Sequence, residues 1–220
     1  MQFLYDKRAG ENSLTIENEN FKYLVKVRRF KVGDTIRLIN FFDEYLYSYK
    51  ILSIDRKNLV LLLLEKERIK KDINKKVHLL WCIIDPKTIY QTLPMLNQIG
   101  VFKISFLYCK RSQKNFKLDL NKIEKILINS NQQCGRFDLM EIEILSNLKE
   151  AIKKYEDISY LDFGGEPNIS DFDRVLVGCE GGFSEEEREL LKTHKKIGLK
   201  IKNILKSETA ILTLAIKSLT

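Results

Sequence analysis

The sequence predicts an α/β chain in two parts, a small strand-rich barrel followed by a larger domain in which strands and helices alternate. Three observations carry this. Three β-rich runs fill residues 34–65 with short polar turns between them. Residues 66–76, Lys-Glu-Arg-Ile-Lys-Lys-Asp-Ile-Asn-Lys-Lys, are charged and poor in apolar side chains, as expected of a linker. Beyond them strand and helix patterns alternate to the C-terminus, which argues a parallel sheet with helices on both faces. The domains expected are therefore 1–70 and 71–220.

In the first part, Glu17–Arg29 reads as a short helix with Phe21, Leu24, Val25 and Arg28 on one face and Lys22, Lys26 and Arg29 on the other. The strands follow at Asp34–Asn40, Tyr45–Ile54 and Asn58–Glu65. In the second part, strands are expected at Val77–Ile84, Lys103–Tyr108, Glu141–Leu145, Ile158–Phe163 and Arg174–Gly178. Helices are expected at Pro86–Ile99, Leu120–Asn131, Asn147–Tyr155, Ser184–His194 and Ser207–Leu219. No internal repeat is present. Ligands of such sheets sit at the carboxyl ends of the strands.

Composition removes several classes of function. The chain has 220 residues, 44% of them hydrophobic and 31% charged, enough for a buried core and unlike a disordered or collagenous chain. The longest apolar run, Leu59–Leu64, falls far short of the roughly 18 residues of a membrane span, and no secretory signal is legible, so no membrane is expected and cytoplasm is the default. Cys82, Cys109, Cys134 and Cys179 are widely spaced and only His78 and His194 supply imidazoles, so neither a disulfide framework nor a metal site is indicated. Net charge is +8, which suggests a polyanionic partner, although the richness in Lys, Asn and Ile also fits biased base composition. Residues 1–70 carry 14 Lys and Arg against 10 Asp and Glu, a denser excess than in the rest of the chain. Lys22, Lys26, Arg28, Arg29, Lys31 and Arg37 either grip phosphates or form a solvated face.

Three segments suggest chemistry. Gly178-Cys-Glu-Gly-Gly-Phe-Ser-Glu-Glu-Glu187 places two glycines after a strand, where backbone can approach a ligand closely, and Ser184 with Glu187 forms a capping box for the next helix. A tight strand-to-helix turn explains the same residues. No phosphate-loop lysine is present, so mononucleotide binding is unsupported. Ser207 is a natural N-cap, and Glu208 sits in the first turn of the last helix, where the dipole favours it. Gln133-Cys-Gly-Arg136 places an amide and a guanidinium past a helix end, or serves helix capping through Gly135.

Together and in order these segments resemble the RsmE methyltransferases of the SPOUT superfamily, over nearly the whole chain. The matching residues are Tyr23-Leu-Val-Lys-Val-Arg-Arg29, Val32-Gly-Asp34, Gln98-Ile-Gly-Val101, Arg111-Ser112, Gln133–Arg136, Gly178–Glu187 and Lys200-Ile-Lys-Asn-Ile-Leu-Lys-Ser-Glu-Thr-Ala210. Departures from the family pattern are Tyr23 for His, Gln98 for Glu, Met140 for Pro, Cys179 for Pro, Ile201 for Gly, and Asn203 and Lys206 for Arg. Lys206 loses the bidentate fork of arginine, and Ile201 brings a branched side chain into a loop the family keeps bare.

The resemblance implies an N-terminal PUA-like β-barrel for RNA and a C-terminal trefoil-knotted SPOUT α/β domain, working as a homodimer. It implies methyl transfer from S-adenosylmethionine to N3 of a uridine in 16S ribosomal RNA, free or in the small subunit. The cofactor would lie against Leu161–Glu166, Val177–Gly182 and Ile201–Leu205, with Phe163, Gly164, Gly165, Val177, Gly178, Gly181, Gly182, Ile201, Asn203, Ile204 and Leu205 in contact. Arg136 would contact the anion or phosphate, and Glu180 or Glu208 would serve as base. Lys22, Lys26, Arg28, Arg29, Arg111 and Lys206 would bind RNA. Two rivals remain at this point: an RNA- or ribosome-binding relic of the fold, and a SPOUT enzyme acting at another RNA position.

Overall fold

A computed structural model describes residues 2–69, 76–166, 172 and 174–219. It divides into two compact units, Met1–Asp72 with Asn131–Leu139, and Ile73–Ser130 with Met140–Thr220. Residues 70–75 of the expected linker lie outside the described residues.

The first unit is a five-stranded sheet in the order β1-β3-β4-β5-β2, with β1 Leu4–Tyr5, β2 Ser13–Glu17, β3 Thr35–Ile39, β4 Tyr45–Ile54 and β5 Asn58–Arg68. All neighbours are antiparallel except β1 and β3. Alternating side chains such as Leu14, Ile16, Ile36, Leu38, Leu59 and Leu61 turn inward to one apolar cluster. Strands β1 and β2 were not expected; β1 has only two residues, and β2 alternates polar and apolar too briefly to stand out. Strand β5 runs past Glu65 into the charged stretch read as linker, because Tyr45–Ser48 of the ten-residue β4 offer partners to Glu65–Arg68.

The expected helix at Glu17–Arg29 divides into α1, Asn18–Lys22, and a π-helical segment, Tyr23–Val27. Arg28 N–H donates to the Tyr23 carbonyl at 2.9 Å, five residues back. The wider turn still buries Phe21 and Leu24 while leaving Lys22, Lys26, Arg28 and Arg29 exposed. Residues 131–139, which the sequence placed with the second domain, join the first unit through local pairing. Gln2 N–H donates to the Gln132 carbonyl at 2.8 Å, and the Phe3 and Phe137 rings stack with centroids 5.4 Å apart.

The second unit is a six-stranded parallel sheet in the order β11-β9-β10-β6-β7-β8. Its strands are β6 His78–Cys82, β7 Lys103–Leu107, β8 Glu141–Leu145, β9 Ser159–Glu166, β10 Arg174–Val177 and β11 Lys195–Ile197. Its helices are α2 Pro86–Ile99, α3 Leu120–Cys134, α4 Leu148–Lys154, α5 Glu185–Leu191 and α6 Ser207–Leu219. Every residue of the inner strand β6 is buried, as a strand covered on both faces requires. The caps that delimit α2 are all in its sequence: the Asp85 side chain accepts from Lys87 N–H, Pro86 opens the helix, and Gly100 closes it at φ 101°. Strand β11 was not expected, being three residues directly after a helix.

Pairing of β6 with β7 also brings Cys82 and Cys109 together as a disulfide, with Cα atoms 5.7 Å apart. No disulfide framework was expected, since a 27-residue spacing says nothing about strand order.

Toward the amino ends of β6, β7 and β8 lies a partly buried polar network, in which His78 and Ser105 are buried. Ser105 and Tyr155 hydroxyls and the Lys154 ammonium all donate to the Glu143 carboxylate at 2.6 Å, and His78 Nε2 lies 2.8 Å from Ser105 Oγ. Burial, reinforced by the positive Lys103 and Arg174, pushes the His78 pKa down to about 4. Burial alone would raise Glu143, but hydrogen bonds from Lys154, Ser105 and Tyr155 and the charge of Lys103 outweigh it and hold its pKa at about 2.

Both shifts make acid destabilising. Between pH 6.5 and about 4 the unfolded chain takes up a proton at His78 that the folded chain refuses. From pH 4.5 toward about 2 the same holds for Glu143. Urea unfolding is expected to show the first loss as on the order of 3 kcal/mol between pH 7 and 4. The variant His78→Gln, which cannot titrate, is expected to lose much less over that range; equal slopes for the two proteins would count against His78 as the source.

Candidate functional site

At the carboxyl ends of β9 and β10 lies a cleft of about 730 Å³. Three segments form its walls: the end of β9, the loop from β10 into α5, and the loop that follows β11.

The first wall exists because β9 leaves the ladder. Tyr160 pairs with Lys196, but the next partner of β11, Ile197, pairs with Glu166, so residues 161–165 have no β11 partner. Among the described residues, the ladder to β10 pairs Ser159 and Tyr160. The excursion is closed at its far end by Gly198 N–H donating to the Glu166 carbonyl at 2.8 Å. There Gly165 and Gly198 touch backbone to backbone: a Cβ on Gly165 would fall 2.3 Å from the Ile197 carbonyl carbon, and one on Gly198 would fall 2.3 Å from the Gly165 oxygen.

The second wall is the glycine loop of the sequence. Gly182 N–H donates to the Cys179 carbonyl at 2.9 Å, turning the chain, and the expected capping box forms: Ser184 N–H donates to Glu187 Oε2 at 2.9 Å and Glu187 N–H to Ser184 Oγ at 3.3 Å. The other oxygen of the buried Glu187 accepts from Lys110 N–H at 2.7 Å, tying the loop after β7 to this one. Arg111 of that loop donates from Nη1 to the Gly181 carbonyl. Burial pushes the Cys179 thiol up, so it is protonated at neutral pH.

Under both walls stands the start of α6. Ser207 was expected to cap the helix. Instead its hydroxyl donates to the Gly178 carbonyl at 2.6 Å and accepts from Trp81 Nε1 at 2.8 Å, linking inner strand, helix and loop.

All eleven residues expected to contact a cofactor line this cleft: Phe163, Gly164, Gly165, Val177, Gly178, Gly181, Gly182, Ile201, Asn203, Ile204 and Leu205. Phe163 is 70% exposed and Ile204 81%, an apolar offering unusual for such side chains. Among the described residues, the peptide groups of Leu199–Leu205 make no hydrogen bond within the chain. Of the expected catalytic residues only Glu180 lines the cleft. Glu208 does not, because Ser207 and Ala210 face it, and a neighbour one position along a helix is turned by about 100°. Arg136 belongs to the first unit and pairs with Asp138, Nη2 to Oδ2 at 2.7 Å. Of the expected RNA contacts, Arg111 lines the cleft while Lys206 is exposed outside its lining.

The sequence singled out neither Asp162 nor Arg188, both of which line the cleft. Arg188 Nε donates to Asp162 Oδ2 at 2.7 Å and Nη2 to Oδ1 at 3.3 Å. Within Glu-Glu-Glu-Arg-Glu, Arg188 reads as a partner for surface carboxylates one turn away, so no local signal points to Asp162.

Known proteins match this arrangement along the whole chain. A family model described as RNA methyltransferase domain matches residues 71–218, and one described as RNA methyltransferase PUA domain matches residues 16–64. The class is therefore that of RNA methyltransferases, an α/β methyltransferase domain joined to a PUA domain. The ribosomal RNA small subunit methyltransferase E of Helicobacter pylori strain J99 is 42% identical over 221 residues, covering 98% of each chain. That of Rickettsia conorii is 31% identical over 94% of this chain and 90% of its own. The chain belongs to the ribosomal RNA small subunit methyltransferase E family. A Legionella pneumophila methyltransferase solved with bound S-adenosylmethionine shares the fold at TM-score 0.79 and 22% identity, over 98% of this chain and 96% of that one. A Neisseria gonorrhoeae member, also bound to S-adenosylmethionine, does so at TM-score 0.76 and 19% identity, over 99% and 96%.

The backbone contact at Gly165 makes a stability prediction. Gly165→Ala forces two main chains apart, a loss of about 2 kcal/mol or more that is expected to lower Tm by roughly 4–8 °C. Gly164→Ala adds a Cβ into open space at φ 68° and is expected to cost less, about 1 kcal/mol. Thermal melts of the two variants that coincide would refute the contact.

Proposed function

We propose that the protein transfers a methyl group from S-adenosylmethionine to N3 of a uridine in 16S ribosomal RNA, in the small subunit and as a homodimer. The observation that carries this reading is the glycine-walled cleft at the carboxyl ends of β9 and β10, on a chain of this family.

The cleft suits the cofactor. Its volume lies in the range of small-molecule sites. Phe163, Ile201 and Ile204 offer apolar surface to a purine, and the peptide groups of Leu199–Leu205 offer donors and acceptors to its edge and to a ribose. Ile201, a departure from the family's glycine, is 40% exposed and forms part of this wall. When bound, S-adenosylmethionine supplies a methyl group already activated as a sulfonium.

The protein's own contribution is to bind, orient and move one proton. Uracil N3 is a poor nucleophile until its proton leaves, and on this reading Glu180, exposed at the cleft, accepts it. Arg111 and Lys200, also at the cleft, supply positive charge for the uracil oxygens or the flanking phosphate. N3 lies on the Watson–Crick edge, so the target nucleotide is bound unpaired. Exposed Lys22, Lys26, Arg28 and Arg29 of the PUA-like unit hold the surrounding RNA as phosphate contacts.

The test has two stages. Calorimetric titration with S-adenosylmethionine is expected to give one site per subunit, and labelled methyl transfer to small subunits lacking the modification is expected to map to a uracil N3. Glu180→Gln is expected to lower kcat about 10²–10⁴-fold while binding S-adenosylmethionine as wild type does. Full activity of that variant would remove Glu180 from the role. Binding without transfer would favour a relic of the fold, and label at another position would favour a different RNA target.

A further inference from the structure

The five residues 161–165 pass along the cleft without a strand partner in β11, so something other than the ladder must set their position. Within the excursion, Phe163 N–H donates to Asp162 Oδ1 at 2.9 Å, which fixes the carboxylate to its own loop but not the loop to the rest of the unit. The attachment comes from Arg188. Its guanidinium meets both oxygens of Asp162 side-on, at 2.7 and 3.3 Å, and its remaining arm, Nη1, donates to Glu185 at 3.1 Å. The Asp162 side chain is 6% exposed and that of Arg188 34%, so the pair is partly shielded from water and screened less than a surface pair. Arg188 in turn stands on α5, whose first turn is held by the capping box and by Lys110.

We infer that Asp162 and Arg188 are positioning residues for the cofactor: their ion pair latches the Phe163 wall to α5 and so sets the width of the cleft that S-adenosylmethionine enters. The inference rests on the proposed function and goes beyond it by assigning two residues and the step they govern. Neither residue acts as acid or base. Asp162 already accepts three hydrogen bonds, and the guanidinium divides its donors between two carboxylates. Their effect therefore falls on cofactor binding and leaves the chemical step alone. Losing a uniform binding contribution raises KM and leaves kcat in place. Charge-assisted hydrogen bonds of this kind convert to about a tenfold change in affinity.

The experiment compares wild type with Arg188→Gln, Arg188→Lys, the double variant Asp162→Asn/Arg188→Gln, and Glu185→Gln as control. Three quantities are read: S-adenosylmethionine affinity, from the fluorescence of the chain's single tryptophan, Trp81, beside Ser207; KM and kcat on small ribosomal subunits; and amide exchange of residues 161–165. Arg188→Gln is expected to raise Kd and KM for S-adenosylmethionine about tenfold, to hold kcat within about threefold, and to speed exchange in 161–165. Arg188→Lys keeps the charge and is expected to recover most of the affinity. The double variant, with no stranded carboxylate, is expected to retain the wild-type melting temperature while staying weak in affinity. Glu185→Gln, whose own carboxylate is 90% exposed, is expected to behave as wild type. Unchanged affinity and exchange in Arg188→Gln, or a fall in kcat at saturating S-adenosylmethionine equal to the rise in KM, overturns the latch. Wild-type protein that binds no S-adenosylmethionine overturns the proposed function, and with it the cofactor role of the pair. The exchange data then decide separately whether Arg188 orders the 161–165 segment.

Discussion

The cleft depends on one close approach, the contact of main chain on main chain at Gly165 and Gly198. Backbone this near leaves no room for a Cβ on either side, and it joins β9 to β11 after five residues of β9 have gone unpaired. If β9 and β11 paired continuously, residues 161–165 would lie in the sheet and there would be no wall for a ligand to rest against. The bulged register thus converts the edge of a regular parallel sheet into a binding surface, which is how strand irregularities commonly serve sites. The Asp162–Arg188 pair then restrains what the ladder no longer holds, and the Ser207 hydroxyl restrains the glycine loop of the other wall at Gly178.

How much of this was legible in the sequence follows from how local each cause is. Helix α2 was readable to the residue because Asp85, Pro86 and Gly100 write both of its ends. The capping box of α5 was readable for the same reason, since Ser184 and Glu187 satisfy each other three positions apart. Strands β4 and β8 were readable from apolar and β-branched content. Where partners lie far apart the signal fades: β1 and β11 are strands only because β3 and β9 offer them hydrogen bonds. The charged end of β5 is strand because β4 is long enough to pair with it. The Cys82–Cys109 bond depends on strand order, and the Asp162–Arg188 pair bridges 26 residues, so neither leaves a local mark.

The residues that line the cleft were marked by the resemblance, which points to segments and leaves side-chain direction unstated. Eleven glycine and loop residues needed only backbone placement, and all line the cleft. Glu208 and Arg136 needed a direction as well. Glu208 is turned from the cleft by its position beside Ser207, and Arg136 is engaged with Asp138 in the first unit. The departure at position 179 shows the converse case. A buried cysteine there keeps the turn that Gly182 N–H makes with its carbonyl, since that bond needs the backbone and not a proline ring.

The two ends of the second unit's sheet differ in the state of their polar groups, and that difference separates stability from binding. At the amino ends, Glu143 receives donors from Ser105, Tyr155 and Lys154, so this partly buried network is satisfied internally. At the carboxyl ends, peptide groups of Leu199–Leu205 have no partner among the described residues, and Phe163 and Ile204 stand largely exposed. Nothing in folding requires such an end: apolar side chains left in water and peptide groups left unpaired gain when a ligand with both kinds of surface arrives. A glycine-lined cleft with mixed charge, from Asp162 and Glu180 to Arg111 and Lys200, suits a ligand that is itself part purine, part polar chain and part cation. The exposed lysines and arginines around the π-helical turn suit a different ligand, a polyanion held by many weak contacts. One chain thus presents two surfaces with distinct physics, a cleft of unpaired peptide groups and exposed apolar side chains, and a cluster of exposed lysines and arginines.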